Sequence, residues 1–173
     1  CMNTDKICIF TDNGKMHSIK VADIPLVRFR DKGTPADNLS NYDSSQERML
    51  YVAPVGQVKL ATLLFVTKTS MCKLVAGAEF DVAKRTIAST KLGDEDQLIF
   101  VGPADEMEQV VLQSEGGYFL RFQKQDISSM KKTSIGVRGM KLAEGDKLDH
   151  AYLLESRQEY TITYHDKPYI LNK

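Results

Sequence analysis

The side chains that could carry out catalysis lie far apart in this sequence. The three histidines, His17, His150 and His165, have no nucleophile or carboxylate at a matching spacing. Nucleophilic and general acid–base catalysis both need such partners within hydrogen-bond reach. Phosphate loops of the GxxxxGKS/T or GxGxxG type are also missing from the sequence. The sequence therefore predicts no catalytic site and places the isolated histidines at the surface.

The sequence predicts no metal site, disulfide framework or bound cofactor. The cysteines show neither CxxC spacing nor a nearby histidine pair, and we expect small buried or incidental residues at Cys1, Cys8 and Cys72. The acidic run at 94–96 has the ligand types of a metal site. However, Glu47 and Asp146 also precede an apolar stretch in the same way. We interpret these acids as turn residues, because Asp side chains bond to nearby backbone in turns.

Basic residues are concentrated in three segments, 28–32, 84–91 and 124–141. The whole chain carries 23 basic and 23 acidic residues, so overall composition does not make it a polycation. The segments hold eleven basic residues against two acidic ones, Asp31 and Asp126. The eleven are Arg28, Arg30, Lys32, Lys84, Arg85, Lys91, Lys124, Lys131, Lys132, Arg138 and Lys141. A surface that gathers them could neutralise phosphates; the alternative is that they only solvate loops.

Short apolar stretches bounded by turn residues predict an all-β chain. Examples are 6–10, 61–66, 97–101 and 109–112, and helical spacing is scarce, with at most one turn at 76–84. No apolar run approaches the roughly 20 residues of a membrane span. The start of the chain lacks the regions of a signal peptide. We expect a cytoplasmic protein with no membrane partner.

A repeated pattern decides the predicted architecture. Thr11, Thr67 and Ser114 each begin a tight turn, and an apolar residue follows thirteen positions later at Ile24, Phe80 and Ile127. Asn-Gly and Gly-Gly in these turns supply the positive φ of two-residue hairpins. A second hairpin is predicted after each first one, with its turn at the acidic residues. Four strands per repeat of about 50 residues are typical of propeller blades.

The predicted blades span approximately 6–56, 57–103 and 104–155, and a further blade begins at 156–173. Their sequences resemble the C-terminal domain of bacterial type IIA topoisomerase A subunits, those of DNA gyrase and topoisomerase IV. The segment Gly136 to Lys147 is the most specific part of this resemblance, and segments 64–92 and 32–48 also match in the family's order. No match to the gyrase box is present, so the sequence leaves open which of the two enzymes is the parent.

The resemblance implies a partial β-pinwheel, a propeller-like ring of four-stranded antiparallel blades that exchange strands, in a single fragment covering 1–173. It implies a non-catalytic module that bends duplex DNA along a basic rim, within an ATP-dependent topoisomerase. ATP and magnesium would then serve other domains, and the partners would be the ATPase subunit, together with the rest of the A subunit. The competing hypothesis is a propeller that binds proteins and not DNA.

If the rim binds DNA, the contacts are expected to be phosphate contacts without base reading, because the segments offer no recognition helix. The predicted DNA-binding residues are Arg28, Arg30, Lys32, Lys84, Arg85, Lys91, Lys131, Lys132, Arg138 and Lys141. Gly33, Gly136 and Gly139 are predicted to let backbone approach phosphates closely. The acidic turns are expected to lie away from the rim.

Overall fold

The chain forms short strands joined by turns, as seen in a computed structural model that describes residue 2, residues 5–155 and residues 160–171. The prediction of an all-β fold is confirmed. The only α-helix among the described residues is the four-residue Val55–Val58, so none of their helices is long enough to cross a membrane. Short 3-10 turns follow the hairpins at Val21–Asp23, Gly77–Phe80 and Lys124–Asp126. A further one lies at Ala36–Asn38.

Strands of five or six residues form most of the sheets. In chain order they are β1 Lys6–Thr11, β2 Lys15–Lys20, β3 Met49–Pro54, β4 Thr62–Thr67, β5 Met71–Ala76, β6 Thr86–Ala88, β7 Leu98–Pro103, β8 Gln109–Ser114, β9 Phe119–Gln123, β10 Val137–Arg138, β11 Leu148–Leu154, β12 Tyr160–Tyr164 and β13 Lys167–Leu171.

Three hairpins repeat along the chain, as the sequence predicts: β1–β2, β4–β5 and β8–β9. Their turns take a positive φ at one equivalent position, at Gly14 (75°), Ser70 (68°) and Gly117 (85°). At each of them the backbone N–H donates to the carbonyl three residues earlier. The connections span 12–14, 68–70 and 115–118, so all three turns are longer than the expected two residues.

The predicted second hairpins are wrong. The first sheet has the order β3-β1-β2-β6, and the second has the order β10-β5-β4-β7. Strand β6 therefore leaves its own repeat and pairs with β2, while β7 stays and pairs with β4. Two consecutive strands that belong to different sheets cannot form a hairpin. The third sheet, β11-β8-β9, has three strands among the described residues.

The hydrophobic core lies between successive sheets. Phe10 of the first sheet packs against Phe80 with 5.0 Å between ring centroids, and Phe80 stacks on Phe65 of the second sheet at 5.8 Å. A second cluster joins the second and third sheets through residues such as Leu64, Leu112 and Ile127. Cys8 and Cys72 lie buried in these clusters as small apolar residues, as expected, whereas Cys1 lies outside the described residues.

Two of the acidic turn residues, Asp96 and Asp146, bond to backbone as predicted, whereas Glu47 contacts the side chains of His17 and Thr11 instead. Asp96 Oδ1 accepts from Thr69 N at 3.0 Å and from Gln97 N at 2.9 Å. Asp146 Oδ1 accepts from Gly116 N and Lys147 N, both at 2.9 Å. Each carboxylate thus ties the turn of its own first hairpin to the beginning of the strand that follows.

Residues 160–171 form the hairpin β12–β13, a separate two-stranded sheet. The sequence predicts the start of a further blade here. The hairpin lies against the third sheet, where the ring of Tyr169 is 5.9 Å from that of Phe119. Residues 156–159 of the predicted further blade lie outside the described residues.

Candidate nucleic-acid interface

The basic segments lie in long connections, two of which reach across to the preceding sheet. We call them the first, second and third arms, at 24–48, 81–97 and 127–147. In the second arm, Thr86–Ala88 pairs antiparallel with β2, and the N–H of Ser18 donates to the carbonyl of Arg85 at 2.8 Å. In the third arm, Val137–Arg138 pairs with β5. Each of these two arms is therefore positioned by the repeat before its own.

The start of the second arm carries Lys84 and Arg85 at the surface. Arg85 Nη2 lies 3.2 Å from Asp23 Oδ2, and both side chains are largely exposed. An exposed pair of this kind contributes roughly 0.2–1 kcal/mol, so it orients the guanidinium without removing it from solvent. Lys84 is exposed without an ion-pair partner among the described residues.

The start of the third arm carries Lys131 and Lys132 at equivalent positions, four and five residues after Ile127, as Lys84 and Arg85 follow Phe80. Lys132 forms hydrogen bonds within the protein. Its Nζ donates to the carbonyl of Glu79 at 2.7 Å, and its N–H donates to Glu79 Oε2 at 3.1 Å. Lys131 remains exposed. Lys84 and Lys131 are therefore available to bind a phosphate, whereas Arg85 and Lys132 already contact Asp23 and Glu79.

Lys73, which sequence analysis missed, holds the third arm in place. Its side chain is buried, and Nζ donates to the carbonyls of Lys131, Lys132 and Ser134 at 3.2, 3.0 and 2.6 Å. Burial lowers the pKa of Lys73 to about 8, which the carboxylate of Glu79 opposes. The burial of Lys73 could have been predicted from its position in β5, because it lies on the same side of the strand as the buried Val75.

His17 occupies the position equivalent to Lys73 and is buried, so the expectation of a surface histidine is wrong for it. Its Nδ1 lies 3.0 Å from Thr86 Oγ1 of the second arm, and its Nε2 lies 2.9 Å from Glu47 Oε1. Burial alone would raise the pKa of Glu47, but hydrogen bonds from Thr11 and His17 outweigh it and lower that pKa. A buried polar side chain thus anchors each of the two arms.

The other two histidines lie at the surface, as predicted. His150 is exposed and its Nδ1 lies 2.9 Å from Asp149 Oδ2, and His165 is exposed in the β12–β13 turn. Within the described residues no three His, Cys, Asp or Glu side chains are grouped so as to hold a metal ion.

The later part of each arm returns to the hairpin turns. Arg138 lies opposite Met71 at the beginning of β5, and the N–H of Met140 donates to Ser70 Oγ at 2.7 Å. Lys91 and Lys141 follow directly, both exposed, three residues before the acids Asp94 and Glu144. These three basic residues therefore lie near the acidic turns, while Lys84 and Lys131 lie toward the other end of the strands.

Two glycines of the third arm, which were predicted to let backbone approach phosphates, pack closely against β5. A Cβ at Gly136, where φ is +110°, would lie 2.8 Å from the carbonyl oxygen of Cys72. A Cβ at Gly139 would lie 2.8 Å from Cys72 Sγ and 2.9 Å from Leu112 Cδ1. Both glycines let the arm lie closely on β5. Gly33, with φ of +76°, has open space around it.

The first arm is exposed at Arg28, Arg30 and Lys32, and Asp31 Oδ2 accepts from the N–H of Arg28 at 2.9 Å. It has no strand pairing among the described residues. Lys124 differs from the other basic residues, because its Nζ donates to the carbonyls of Ala104 and Asp105 at 2.6 and 3.0 Å. It stabilises the third repeat locally.

A family model described as the DNA gyrase C-terminal domain, beta-propeller, matches residues 5–44, 61–105 and 108–155 of this chain. Among curated proteins, the A subunit of DNA gyrase from Lawsonia intracellularis is 27% identical over 160 residues, which cover 91% of this chain and 19% of the relative. The A subunit of DNA topoisomerase 4 from Streptococcus pneumoniae is 28% identical over 167 residues, which cover 92% of this chain and 20% of the relative. The chain thus spans about a fifth of the length of these relatives.

Two solved C-terminal domains of related enzymes are also similar to this chain. The C-terminal domain of a DNA topoisomerase IV superimposes with a TM-score of 0.83 at 27% identity, covering 91% of this chain and 49% of that domain. The E. coli ParC C-terminal domain superimposes with a TM-score of 0.80 at 13% identity, covering 99% of this chain and 70% of that domain, and so supports the fold alone.

Proposed function

The chain belongs to the family of DNA gyrase C-terminal domains, and from this premise we propose that it binds duplex DNA and bends it along the basic starts of its arms. The observation that supports this proposal most is the equivalence of Lys84 and Lys131. Both are exposed, and each stands four residues after the buried Phe80 or Ile127, ahead of the strand that the arm adds to the preceding sheet. Repetition of one basic position along successive sheets suits the repeated phosphates of a DNA backbone.

The contacts are electrostatic and independent of base sequence. The described helices are single turns, so no recognition helix is available for the major groove. Lys84 and Lys131 would neutralise phosphates directly, and Arg85 and Lys132 would do so while holding Asp23 and Glu79. Arg28, Arg30 and Lys32 would extend the same surface on the first arm. Preference among DNA sequences would come from deformability.

Lys91, Arg138 and Lys141 also belong to the proposed rim, but with a smaller share of the binding energy. The acidic residues three positions after Lys91 and Lys141 oppose the approach of a phosphate. At moderate salt the screening length is about 10 Å, so such close charges still act on each other. The arm starts should therefore dominate affinity.

In the whole protein, we infer that this module wraps a DNA segment and presents it for strand passage, which controls supercoiling. The parent would be a gyrase or a topoisomerase IV, with cleavage in another part of the same polypeptide and ATP and magnesium used by other domains. The module would be non-catalytic. Its partners would be DNA, the ATPase subunit, and the rest of the A subunit. Its location would be the cytoplasm, at the nucleoid.

The test is a salt titration of duplex DNA binding by fluorescence anisotropy. We expect weak, sequence-independent binding, with a dissociation constant of roughly 10⁻⁴ to 10⁻⁶ M at physiological salt. The double variant Lys84→Glu with Lys131→Glu should lower affinity and reduce the log–log salt slope by roughly two, because each lost phosphate contact removes about 0.9.

The matched control is Lys91→Glu with Lys141→Glu, which makes the same charge change at equivalent exposed positions of the same two arms. Melting temperatures should stay unchanged in both double variants, because none of these four side chains is buried. Binding that is absent at low salt, or that does not weaken with added salt, would contradict DNA binding and favour the protein-interaction hypothesis. Equal losses in the two double variants would contradict the role given to the arm starts.

A further inference from the structure

The third arm forms an arch over one residue of β5. Before the arch, the N–H of Met130 donates to the carbonyl of Leu74 at 2.8 Å, and after it the strand β10 pairs with β5. Residues 131–136 lie between these two attachments and belong to no strand. The side chain of Lys73 is 1% exposed and points into this arch.

The ammonium group of Lys73 fills the arch. Its Nζ donates to the carbonyls of Lys131, Lys132 and Ser134, so three hydrogens meet three oxygens. A neutral amine has two hydrogens and one lone pair, and one of the three carbonyls would then face the lone pair. That oxygen would lose its hydrogen bond and be repelled, which favours movement of the arm away from β5. The geometry of the arch therefore requires the charged form of Lys73.

The charged groups that face Lys73 come from the arm and from the 3-10 turn Gly77–Phe80. Burial lowers the pKa of Lys73 to about 8, and the carboxylate of Glu79 on this turn opposes the shift. The arm contributes Lys131 and Lys132, and Lys132 is itself held by Glu79. From β4, Nζ meets the uncharged ring of Phe65, 5.7 Å from its centroid. The proton that holds the arch is therefore exchanged near pH 8.

The second arm is held in a different way. Its anchor His17 contacts the side-chain hydroxyl of Thr86 at 3.0 Å and not the backbone of the basic residues. The carbonyl of Arg85 instead accepts from the N–H of Ser18 at 2.8 Å. Lys84 beside it is therefore positioned by backbone hydrogen bonding that does not depend on a charged side chain.

We propose that Lys73 is a positioning residue for DNA binding, which holds the backbone of Lys131 and Lys132 where these side chains can reach phosphates, and does so only while its own amine carries a proton. This role rests on the proposed binding of DNA by the arm starts. Phosphates bound at the third arm favour the charged amine in return, because they add negative charge near it. DNA binding therefore takes up a proton from solvent at this buried site.

The experiment is a titration of duplex DNA by fluorescence anisotropy at pH 7 and pH 9, at equal ionic strength. Affinity should fall several-fold between these values, and by at most about tenfold, because one proton is taken up and the pKa of Lys73 lies near 8. Exposed lysines keep their charge over this range, since their ordinary pKa is about 10.4. The direct phosphate contacts therefore do not cause the loss.

Two exposed lysines separate this role from a general loss of charge. Lys131→Gln and Lys84→Gln each remove one phosphate contact, so both should weaken binding at pH 7. Only Lys131→Gln should also reduce the loss of affinity between pH 7 and pH 9, because Lys73 acts through the third arm. α-Amino groups titrate in the same range, but they are common to all variants and cancel in the comparison. Equal pH dependence in the two variants would mean that Lys73 acts at most as a distant charge, and would overturn the proposal.

Replacement of Lys73 itself gives a second test. Lys73→Met should bind DNA at pH 7 about as weakly as the unmodified chain does at pH 9, without further change with pH. The control Lys59→Met removes a half-exposed lysine paired with Asp81 and should keep both the affinity and its pH dependence. If Lys73→Met does not fold, the comparison of Lys131→Gln with Lys84→Gln decides alone, since both side chains are exposed.

The unmodified chain distinguishes failure of this inference from failure of the proposed function. Salt-dependent binding with the same affinity at pH 7 and pH 9 would overturn the role of Lys73 and leave DNA binding intact. Absence of binding at pH 7 and low salt would overturn both.

Discussion

Replacement of Lys73 by methionine should destabilise the protein strongly. Methionine has a similar length but no donor, so three carbonyl oxygens now 2.6 to 3.2 Å from Nζ lose their partner. Hydrogen bonds to a charged group contribute about 1.5–3 kcal/mol each. Part of this loss is offset, because the methionine variant no longer buries a charge. We expect a net loss of about 2–4 kcal/mol. For a chain of this size that lowers the melting temperature by roughly 5–15 °C.

The pH dependence of this loss tests the reasoning more sharply than its size. Burial lowers the pKa of Lys73 from 10.5 to about 8 in the folded chain. Between these values the unfolded chain holds a proton that the folded chain has released, so the folded state gains stability as pH rises. The methionine variant lacks this term. The difference in melting temperature between the two proteins should therefore grow from pH 8 toward pH 10.5.

The assay is thermal unfolding at a series of pH values, with Lys59→Met as the control. Lys59 forms a half-exposed pair with Asp81 at 3.7 Å, so its loss should cost under about 1 kcal/mol at any pH. Other lysines and tyrosines titrate in all three proteins and cancel in the differences. If the difference for Lys73→Met shrinks as pH rises, the ammonium is stabilised by the fold and our account of Lys73 is wrong.

Two further substitutions test the arm junctions. Gly136→Ala should lower the free energy of unfolding by about 1–3 kcal/mol more than Gly145→Ala in chemical denaturation. Both glycines have positive φ, but only at Gly136 would the new Cβ lie against a backbone oxygen, at 2.8 Å. Equal losses in the two variants would contradict the close packing of Gly136. Glu47→Gln should lower the melting temperature above pH 4.5, the ordinary pKa of this carboxyl. The lowered pKa in the fold means that this difference shrinks as pH falls below that value, and a difference independent of pH would refute the role of the Glu47 contacts.

The repeated hairpins could be predicted because their signals are local. Gly14 and Gly117 mark a position where φ must be positive, and apolar residues alternate on both sides of it. The pairing partner of β6 could not be predicted in the same way. Its three residues are compatible with pairing to β2 or to β7, and the choice depends on the packing of Phe80 between two sheets. Long-range partners of short strands leave little trace in their own sequence.

The basic arms could be predicted as a group, because net charge within a segment is visible in sequence. Their anchors could not. A lysine in a strand is usually expected to be exposed, and only the three carbonyls of residues 131, 132 and 134 make the buried Lys73 tolerable. The burial of His17 escapes prediction for the same reason, since Glu47 and Thr86 reach it from distant parts of the chain.

The exchange of strands determines how the proposed DNA-binding surface is held together. Lys131 belongs to the third repeat by sequence, but its backbone carbonyl is held by Lys73 of the second sheet. The spacing between Lys84 and Lys131 is therefore set by the packing of the first sheet on the second, through Phe10, Phe65 and Phe80. A bound DNA that pulls on both lysines would strain that apolar junction and not a flexible loop. Stiff spacing of this kind favours bending of the DNA over deformation of the protein, since aromatic cores resist displacement more than exposed segments do.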